Sequence, residues 1–211
     1  MTCGATQPTK KVDLRGKLKY LYSPSAKEAQ TVDVPKFNFI MVDGKGDPNA
    51  GEFADAISAL YGLSFTLKFT IKKKTAVDYP VMALEALWGD ASGVFDASDR
   101  KGWSWTAMIM QPEFVDSKLY RSAVEEVRKK KDLKSLGKAR LEAFHEGLSA
   151  QIMHIGPYSA EAPTIERLHE YIKDSGGMPR GRHHEIYLGD PRRAAPSKLR
   201  TILRQPFEKS A

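Results

Sequence analysis

The chain has 211 residues, of which 41% are hydrophobic and 28% are charged. These proportions are close to those of an average globular protein, and they exclude a long disordered chain, a collagen and a coiled-coil rod. The formal net charge of +7 at pH 7 raises the question of an anionic partner such as nucleic acid.

The N-terminal residues 1–12 are polar, and we expect them to form a tail that contains the one cysteine, Cys3. A single thiol cannot form an internal disulfide, and it excludes a metal cluster built on cysteine. The first residues lack the apolar core of a signal peptide, and no apolar run reaches the roughly 18 residues of a membrane span. We therefore expect a cytoplasmic protein that does not cross a membrane.

The first predicted elements are a short helix or coil and a strand. The helix or coil covers 14–22, and the strand covers 37–42. The strand ends in a turn at 43–48 that is rich in Gly, Asp and Pro. This turn separates the strand from the apolar segment that follows.

The segment 52–72 fits two templates. Its apolar residues alternate over 63–71, as in a strand, but they also recur every three or four positions, as in a helix. The length favours one long helix that is apolar on two sides. Its second stripe would consist of Tyr61, Phe65 and Phe69.

Two strands are predicted next, over 81–88 and 103–110, joined by a polar loop rich in Gly and Asp. A helix over 117–131 follows, with Ser117 as its N-cap and an apolar residue every four positions. The remaining elements are strands at 139–144 and 148–155, a helix at 162–173, and strands at 183–188 and 199–203.

The order of elements repeats, because strand-helix-strand-strand occurs on each side of the helix at 117–131. We expect an α+β fold in which duplicated halves form a pseudo-two-fold antiparallel sheet assembly with a central ligand groove. The expected domain covers 34–211, with halves at about 34–112 and 139–207, after an N-terminal extension of residues 1–33.

Two glutamates in matching strands are the clearest candidates for chemistry. Glu85 in Leu-Glu-Ala-Leu-Trp-Gly and Glu185 in His-Glu-Ile-Tyr-Leu-Gly are 100 residues apart. Alternate residues of a strand share a face, so we expect Glu185 beside Tyr187, and Ile186 on the helix-covered face. Both glutamates are expected to face one groove. The alternative for each is a sheet-edge glutamate paired with a basic side chain.

The excess positive charge lies in two segments, 117–146 and 180–211. Neither contains aromatic residues interleaved with basic ones, and neither matches a nucleic-acid-binding motif. The run Arg128–Lys131 is typical of a solvated helix end. We therefore expect no nucleic acid partner.

Several stretches of the sequence together resemble a known family. They are Val34–Pro35, Phe39–Pro48, Ala59–Tyr61, His154–Ser159 and Glu185–Arg193. In combination they resemble the GyrI-like small-molecule-binding superfamily, a fold shared with the effector domains of multidrug-sensing regulators. The most specific marks are the His-x-Gly-Pro-Tyr turn and the Glu-Ile-Tyr-Leu-x-Asp-Pro strand end. The resemblance covers about 34–207 and implies a stand-alone member of the superfamily.

The resemblance implies two halves around a central groove with Glu185 at its base, and it assigns 52–72 to a helix. Some stand-alone members are similar enough to suggest hydrolysis of cyclopropanoid genotoxins, which alkylate DNA through a reactive cyclopropyl ring. Others bind drugs without chemistry, and the founding type interacts with DNA gyrase. A detoxifying hydrolase, a protein that sequesters drugs and a gyrase partner therefore stay as alternatives.

For the hydrolase, we expect Glu185 to act as general base for water and Tyr187 as hydroxyl donor. Substrate contacts are expected from Glu85, Trp88, Trp105, Tyr61, Phe65, His154 and Tyr158. The expected ligands are planar hydrophobic or cationic small molecules, because aromatic rings beside a carboxylate suit both. The five histidines lack metal-binding spacing, and we expect no cofactor.

Overall fold

The computed structural model describes residues 9–89 and 103–210. Cys3 and most of the expected N-terminal tail lie outside these residues. So does most of the polar loop predicted between the strands at 81–88 and 103–110.

The described residues form five α-helices: α1 (Leu14–Lys17), α2 (Lys19–Tyr22), α3 (Glu52–Thr75), α4 (Ser117–Lys130) and α5 (Ala162–Asp174). The ambiguous segment is thus helical, since α3 buries one continuous apolar stripe that includes Leu60, Leu63 and Leu67. The N-cap of α4 is Asp116 and not the expected Ser117, because the Asp116 carboxylate accepts a hydrogen bond from the Leu119 N–H at 2.7 Å.

Eleven strands lie in the described part of the chain. They are β1 (Lys10–Lys11), β2 (Gln30–Val34), β3 (Phe37–Lys45), β4 (Val77–Asp78), β5 (Leu84–Trp88), β6 (Ser104–Gln111), β7 (Arg140–Phe144), β8 (Gly147–Ile155), β9 (Gly177–Pro179), β10 (His183–Tyr187) and β11 (Arg200–Lys209). Strand β5 begins later than predicted and β11 ends later. Single 3-10 turns occupy Leu136–Lys138, Tyr158–Ala160 and Pro196–Lys198.

One large antiparallel sheet organises the fold. Its strands follow the order β2-β8-β11-β10-β5-β6-β3-β7, and β9 adds to β11. The two halves are β3-α3-β5-β6 and β8-α5-β10-β11, and their third elements, β5 and β10, pair with each other at the centre. The predicted α+β fold with duplicated halves is confirmed.

Both long helices of the halves lie on the same face of the sheet. Helix α3 packs on β3 and β6, and α5 packs on β8 and β11, so the central strands β5 and β10 run between them. Phe53 of α3 contacts Trp88 of β5 with ring centroids 5.4 Å apart, and Thr164 of α5 bonds His154 of β8. The strand register puts Trp88, His154 and Glu185 on this one face.

The expectation that Glu185 faces away from the helices is therefore wrong. Ile186, which was assigned to the helix-covered face, instead packs with Met153 and Ile202 on the reverse face. That face is covered by the N-terminal segment that includes α2, through Tyr22. Helices α3 and α5 pack on the strands to either side, so Glu185 on the central strand β10 lies on the same side of the sheet as the helices.

Stability should depend strongly on the buried stripe of α3. Leu63 is fully buried in the core, whereas Phe69 on the same helix is 60% exposed. We expect Leu63→Ala to lower the free energy of unfolding by about 2–5 kcal/mol, because it loses apolar burial and leaves a cavity. Phe69→Ala should change it by less than about 1 kcal/mol. Urea denaturation measures both, and equal losses would contradict the assigned orientation of α3.

Candidate active site

The site is built on alternate residues of β10. Glu185 and Tyr187 share the helix face, and the Tyr187 hydroxyl donates a hydrogen bond to Glu185 Oε2 at 2.7 Å. The indole N–H of Trp88, on β5, donates to the Tyr187 oxygen at 3.2 Å. Ala86 stands directly opposite Glu185 in the ladder and contributes only a methyl group. A short donor chain therefore runs from Trp88 through Tyr187 to the carboxylate.

The turn before α5 contributes a second ring and a second carboxylate. The Tyr158 ring meets Tyr187 edge-on, with centroids 5.6 Å apart and planes at 79°. Glu161, immediately before the first residue of α5, is only 5% exposed. Within the described residues its Oε1 atom makes no hydrogen bond. Sequence reasoning missed Glu161, whose only signal is its place shortly after the His-x-Gly-Pro-Tyr motif.

Burial raises the pKa values of both carboxyl groups. Burial, together with the charge of Glu185, raises the pKa of Glu161 to about 8. Burial raises the pKa of Glu185 to about 7, although the Tyr187 hydrogen bond lowers it. Burial, together with the charges of both carboxylates, raises the pKa of Tyr158 to about 12. Near neutral pH the pair can thus supply one proton acceptor and one proton donor.

His154 supports this turn from behind. Its Nδ1 lies 3.0 Å from the Thr164 hydroxyl, and its Nε2 lies 3.2 Å from the carbonyl oxygen of Pro157. A carbonyl only accepts, so Nε2 carries the hydrogen and Nδ1 accepts from Thr164. His154, predicted to bind substrate, is therefore placed to hold the turn that carries Tyr158.

Glu85 lies on the opposite face of the sheet from Glu185. In the β5–β10 ladder Glu185 stands opposite Ala86, whereas Glu85 stands opposite Ile186. Glu85 is 1% exposed, and its carboxylate accepts a hydrogen bond from the Tyr22 hydroxyl at 2.6 Å. The expectation that both glutamates face one groove is wrong, because directly opposed residues share a face and a shift of one residue reverses it.

The other aromatic residues predicted to contact substrate lie in different environments. Trp105 shares the face of Trp88 but is 1% exposed and packs edge-on against Phe53, 4.9 Å between centroids. Tyr61 stacks on Phe65 of the same helix with ring centroids 6.1 Å apart, and burial and the charge of Asp190 raise its pKa. Asp190 raises the pKa of Tyr158 in the same way.

Phe65 lies elsewhere on the surface of α3. It is 44% exposed and lines a groove of about 590 Å³ between α3 and α4, which Glu185 does not line. The structure thus brings together Glu185, Tyr187, Trp88 and Tyr158. It places Glu85 on the reverse face, Tyr61 and Phe65 in the groove between α3 and α4, and Trp105 in the core beside Trp88.

Within 9–89 and 103–210, no group of three or more His, Cys, Asp or Glu side chains could hold a metal ion. Burial lowers the pKa of His183, the histidine nearest to Glu185 on this face, to about 3, so its ring is neutral. No helix in the same part of the chain has the length and hydropathy to traverse a lipid bilayer.

A model of a known protein family matches most of the chain. The model of the GyrI-like small molecule binding domain matches residues 27–206. The chain belongs to the GyrI-like family. None of the curated protein sequences matches it.

Solved structures of similar proteins share the fold. An uncharacterised conserved protein from Listeria innocua is 38% identical, with a TM-score of 0.86 over 93% of this chain and all of the other. A Listeria innocua hydrolase encoded by lin2189 is 37% identical, with a TM-score of 0.85 over 94% of this chain and all of the other. The C-terminal domain of EcmrR, at 12% identity and a TM-score of 0.54 over 87% of this chain and 98% of that domain, shares the fold alone.

The raised pKa of Glu161 predicts a pH-dependent stability. The pKa of Glu161 in the folded protein is about 8, whereas that of an ordinary glutamate is 4.5. The free energy of unfolding therefore falls as the pH rises from the lower to the higher of these two values. We expect Glu161→Gln to be more stable than the unmodified protein at pH 8.5 by at least about 1 kcal/mol, and to lose this advantage near pH 5. Urea denaturation at both pH values measures it.

Glu170→Gln is the matched control, since Glu170 is exposed on the same helix. Its stability relative to the unmodified protein should not change with pH. A Glu161→Gln variant that is equally stable or less stable at pH 8.5 would show that Glu161 is ionised at no cost in the folded protein.

Proposed function

We propose that this protein is a cofactor-independent hydrolase that adds water to the cyclopropyl ring of planar cyclopropanoid genotoxins, and so protects DNA from alkylation. The observation that carries the proposal is the buried pair of Glu161 and Glu185, whose pKa values lie near neutrality beneath aromatic rings. The 37% identity to a Listeria hydrolase over nearly the whole chain supports the reaction class.

In this reaction Glu185 acts as the base. Its carboxylate takes a proton from water while the water oxygen bonds to the less hindered carbon of the cyclopropane. The ring carbon–carbon bond breaks, and its electron pair passes through the conjugated dienone to the carbonyl oxygen. Tyr187 holds Glu185 in place through its hydrogen bond, and Trp88 orients Tyr187 in turn.

Glu161 acts as the acid in the same step. A carboxyl group with a pKa of about 8 is protonated at neutral pH and can donate to the developing oxyanion. Tyr187 is a weaker acid than Glu161, because burial raises the pKa of its hydroxyl well above the ordinary value. The product is the substrate plus one water, and the proton returns from Glu185 to Glu161 to close the cycle.

Aromatic side chains hold the flat substrate above the pair. Tyr158 is 39% exposed, whereas Glu185 has a side-chain exposure of 12%, so a compound reaches the carboxylates past the Tyr158 ring. Stacking against such a ring contributes about 0.5–1.5 kcal/mol. Neutral or cationic planar compounds suit a pair that carries a net negative charge.

Turnover in isotopically labelled water tests the proposal. A cyclopropyl alkylator in large molar excess over protein is incubated in water enriched in oxygen-18, and the products are analysed by mass spectrometry. We expect a ring-opened product with one heavy oxygen. Glu185→Gln and Glu161→Gln should each reduce the rate by about 100-fold or more, and Tyr187→Phe by less. Glu170→Gln should react at the rate of the unmodified protein.

Binding is measured on the same variants by quenching of tryptophan fluorescence, because Trp88 lies in the site. If no protein turns the compound over and all bind it equally, the protein sequesters drugs without chemistry. If Glu185→Gln is as fast as the unmodified protein, the assigned base is wrong. Inhibition of DNA gyrase by ligand-free protein would favour the gyrase-interacting alternative.

A further inference from the structure

A second set of charged side chains is buried directly behind the candidate site. On the reverse face of β10, His184 is 1% exposed. Its Nε2 lies 3.1 Å from Glu85 Oε2, and its Nδ1 lies 2.9 Å from Glu146 Oε1. Both ring nitrogens therefore face carboxylate oxygens, which only accept. Nδ1 is hydrogen-bonded to Glu146, whereas Nε2 makes no hydrogen bond within the described residues but stands at ion-pair distance from Glu85, an arrangement that suits an imidazolium between two carboxylates.

The rest of this cluster balances the charges. Arg204 Nη1 lies 3.0 Å from Glu146 Oε2, and the other guanidinium hydrogens bond Gln151 and the carbonyl oxygen of Leu21. Two carboxylates, one guanidinium and one imidazolium sum to zero. We call Tyr22, Glu85, Glu146, His184 and Arg204 the reverse-face network.

Electrostatics agree with a charged His184. Although burial disfavours the imidazolium, Glu146 and Glu85 raise the pKa of His184 above its ordinary value. Burial alone would likewise raise the pKa of Glu146, but His184 and Arg204 lower it to about 2. Glu146 is therefore ionised between His184 and Arg204.

We propose that His184 is a positioning residue for Glu185: its buried ring, held between Glu85 and Glu146 on the reverse face, places a positive charge directly behind the carboxylate that acts as base. The proposal rests on the base assigned to Glu185 in the proposed function. The two residues are consecutive in β10, so their side chains leave the same short stretch of backbone on opposite faces.

Other groups around Glu185 supply little positive charge. On its own face the strands contribute His183, which is neutral, and Tyr187, Trp88 and Leu203. The turn before α5 adds Tyr158 and Glu161. Among the described residues no Lys or Arg forms an ion pair with Glu185 or Glu161. His184 is the cation whose charge lowers the pKa of Glu185, against the effect of burial.

The size of the effect follows from Coulomb's law. Two unit charges on the order of 10 Å apart interact by about 1.7 kcal/mol at an effective dielectric constant of about 20, which is roughly one pH unit. Without the imidazolium, Glu185 would hold its proton at neutral pH more often and would activate water less often.

Two substitutions in the network should move the pKa of Glu185 in opposite directions. His184→Gln removes a positive charge, so the pKa should rise by roughly one pH unit. Glu85→Gln removes a negative charge beside a histidine that Glu146 still keeps protonated, so the pKa should fall. An amide at position 85 has nearly the size of the carboxylate and can donate to the Tyr22 oxygen, which preserves the packing. His145→Gln, on an exposed histidine, is the control.

The pKa of Glu185 is measured by carbon-13 NMR titration of labelled glutamate carboxyl groups, with the Glu185 signal assigned by its loss in Glu185→Gln. This measurement does not need turnover, so it stands even if the hydrolase assignment fails. The pH dependence of the rate should shift in parallel where turnover occurs. Opposite shifts in the two variants support the proposal.

Shifts of the same sign in both variants would show a loosened strand and not a charge effect, and would overturn the proposal. So would a Glu185 pKa that neither variant changes relative to His145→Gln. If His184→Gln does not fold, Glu85→Gln decides alone: a downward shift supports the proposal, and an unchanged or higher pKa overturns it.

Discussion

The pairing of β5 with β10 at the centre of the sheet determines which side chains can act together. The register is antiparallel, with Glu185 opposite Ala86 and Ile186 opposite Glu85. Because opposed residues share a face and successive residues alternate, this one register separates two sets of polar groups. Helices α3 and α5 cover the outer strands of one face and leave its centre to Glu185 and its neighbours.

The pKa values of buried carboxyl groups shift in opposite directions on the two faces of the sheet. Glu146 lies between His184 and Arg204, which lower its pKa to about 2. Glu185 is also largely buried, but its hydrogen bond from Tyr187 cannot offset burial, and its pKa rises to about 7. The difference lies in the partners and not in the depth, because burial acts in the same direction on both groups. Glu146 on the reverse face is therefore ionised at neutral pH, whereas Glu185 on the helix face gains or loses its proton near neutral pH.

Much of the fold could be predicted from the sequence. The repeated order of elements predicted the two halves. The length of the apolar segment favoured the helix α3 over a strand. Strand parity correctly placed Tyr187 on the side of Glu185, because residues two apart on one strand share a face in any sheet. The motif near Tyr158 also pointed to the turn that approaches Tyr187.

The remaining features depend on contacts between distant parts of the chain. The match of Glu85 with Glu185 was read as structural equivalence, but an offset of 100 residues places them on opposite faces in the actual register. Glu161 carries no periodic signal, and its approach to Glu185 arises only when α5 packs on β8 and β11. Trp105 and Phe65 could not be told apart from ligand-binding rings, since core and surface aromatics follow the same spacing.

The central claim is that Glu161 is protonated at neutral pH and serves as the acid, while Glu185 serves as the base. Infrared difference spectroscopy observes the protonated Glu161 directly, because a protonated carboxylic acid has a carbonyl stretch that a carboxylate lacks. At pH 7 the unmodified protein should show this band, and Glu161→Gln should lose most of it, while Glu170→Gln should keep it. Absence of the band at pH 7, or its full persistence in Glu161→Gln, would contradict the account.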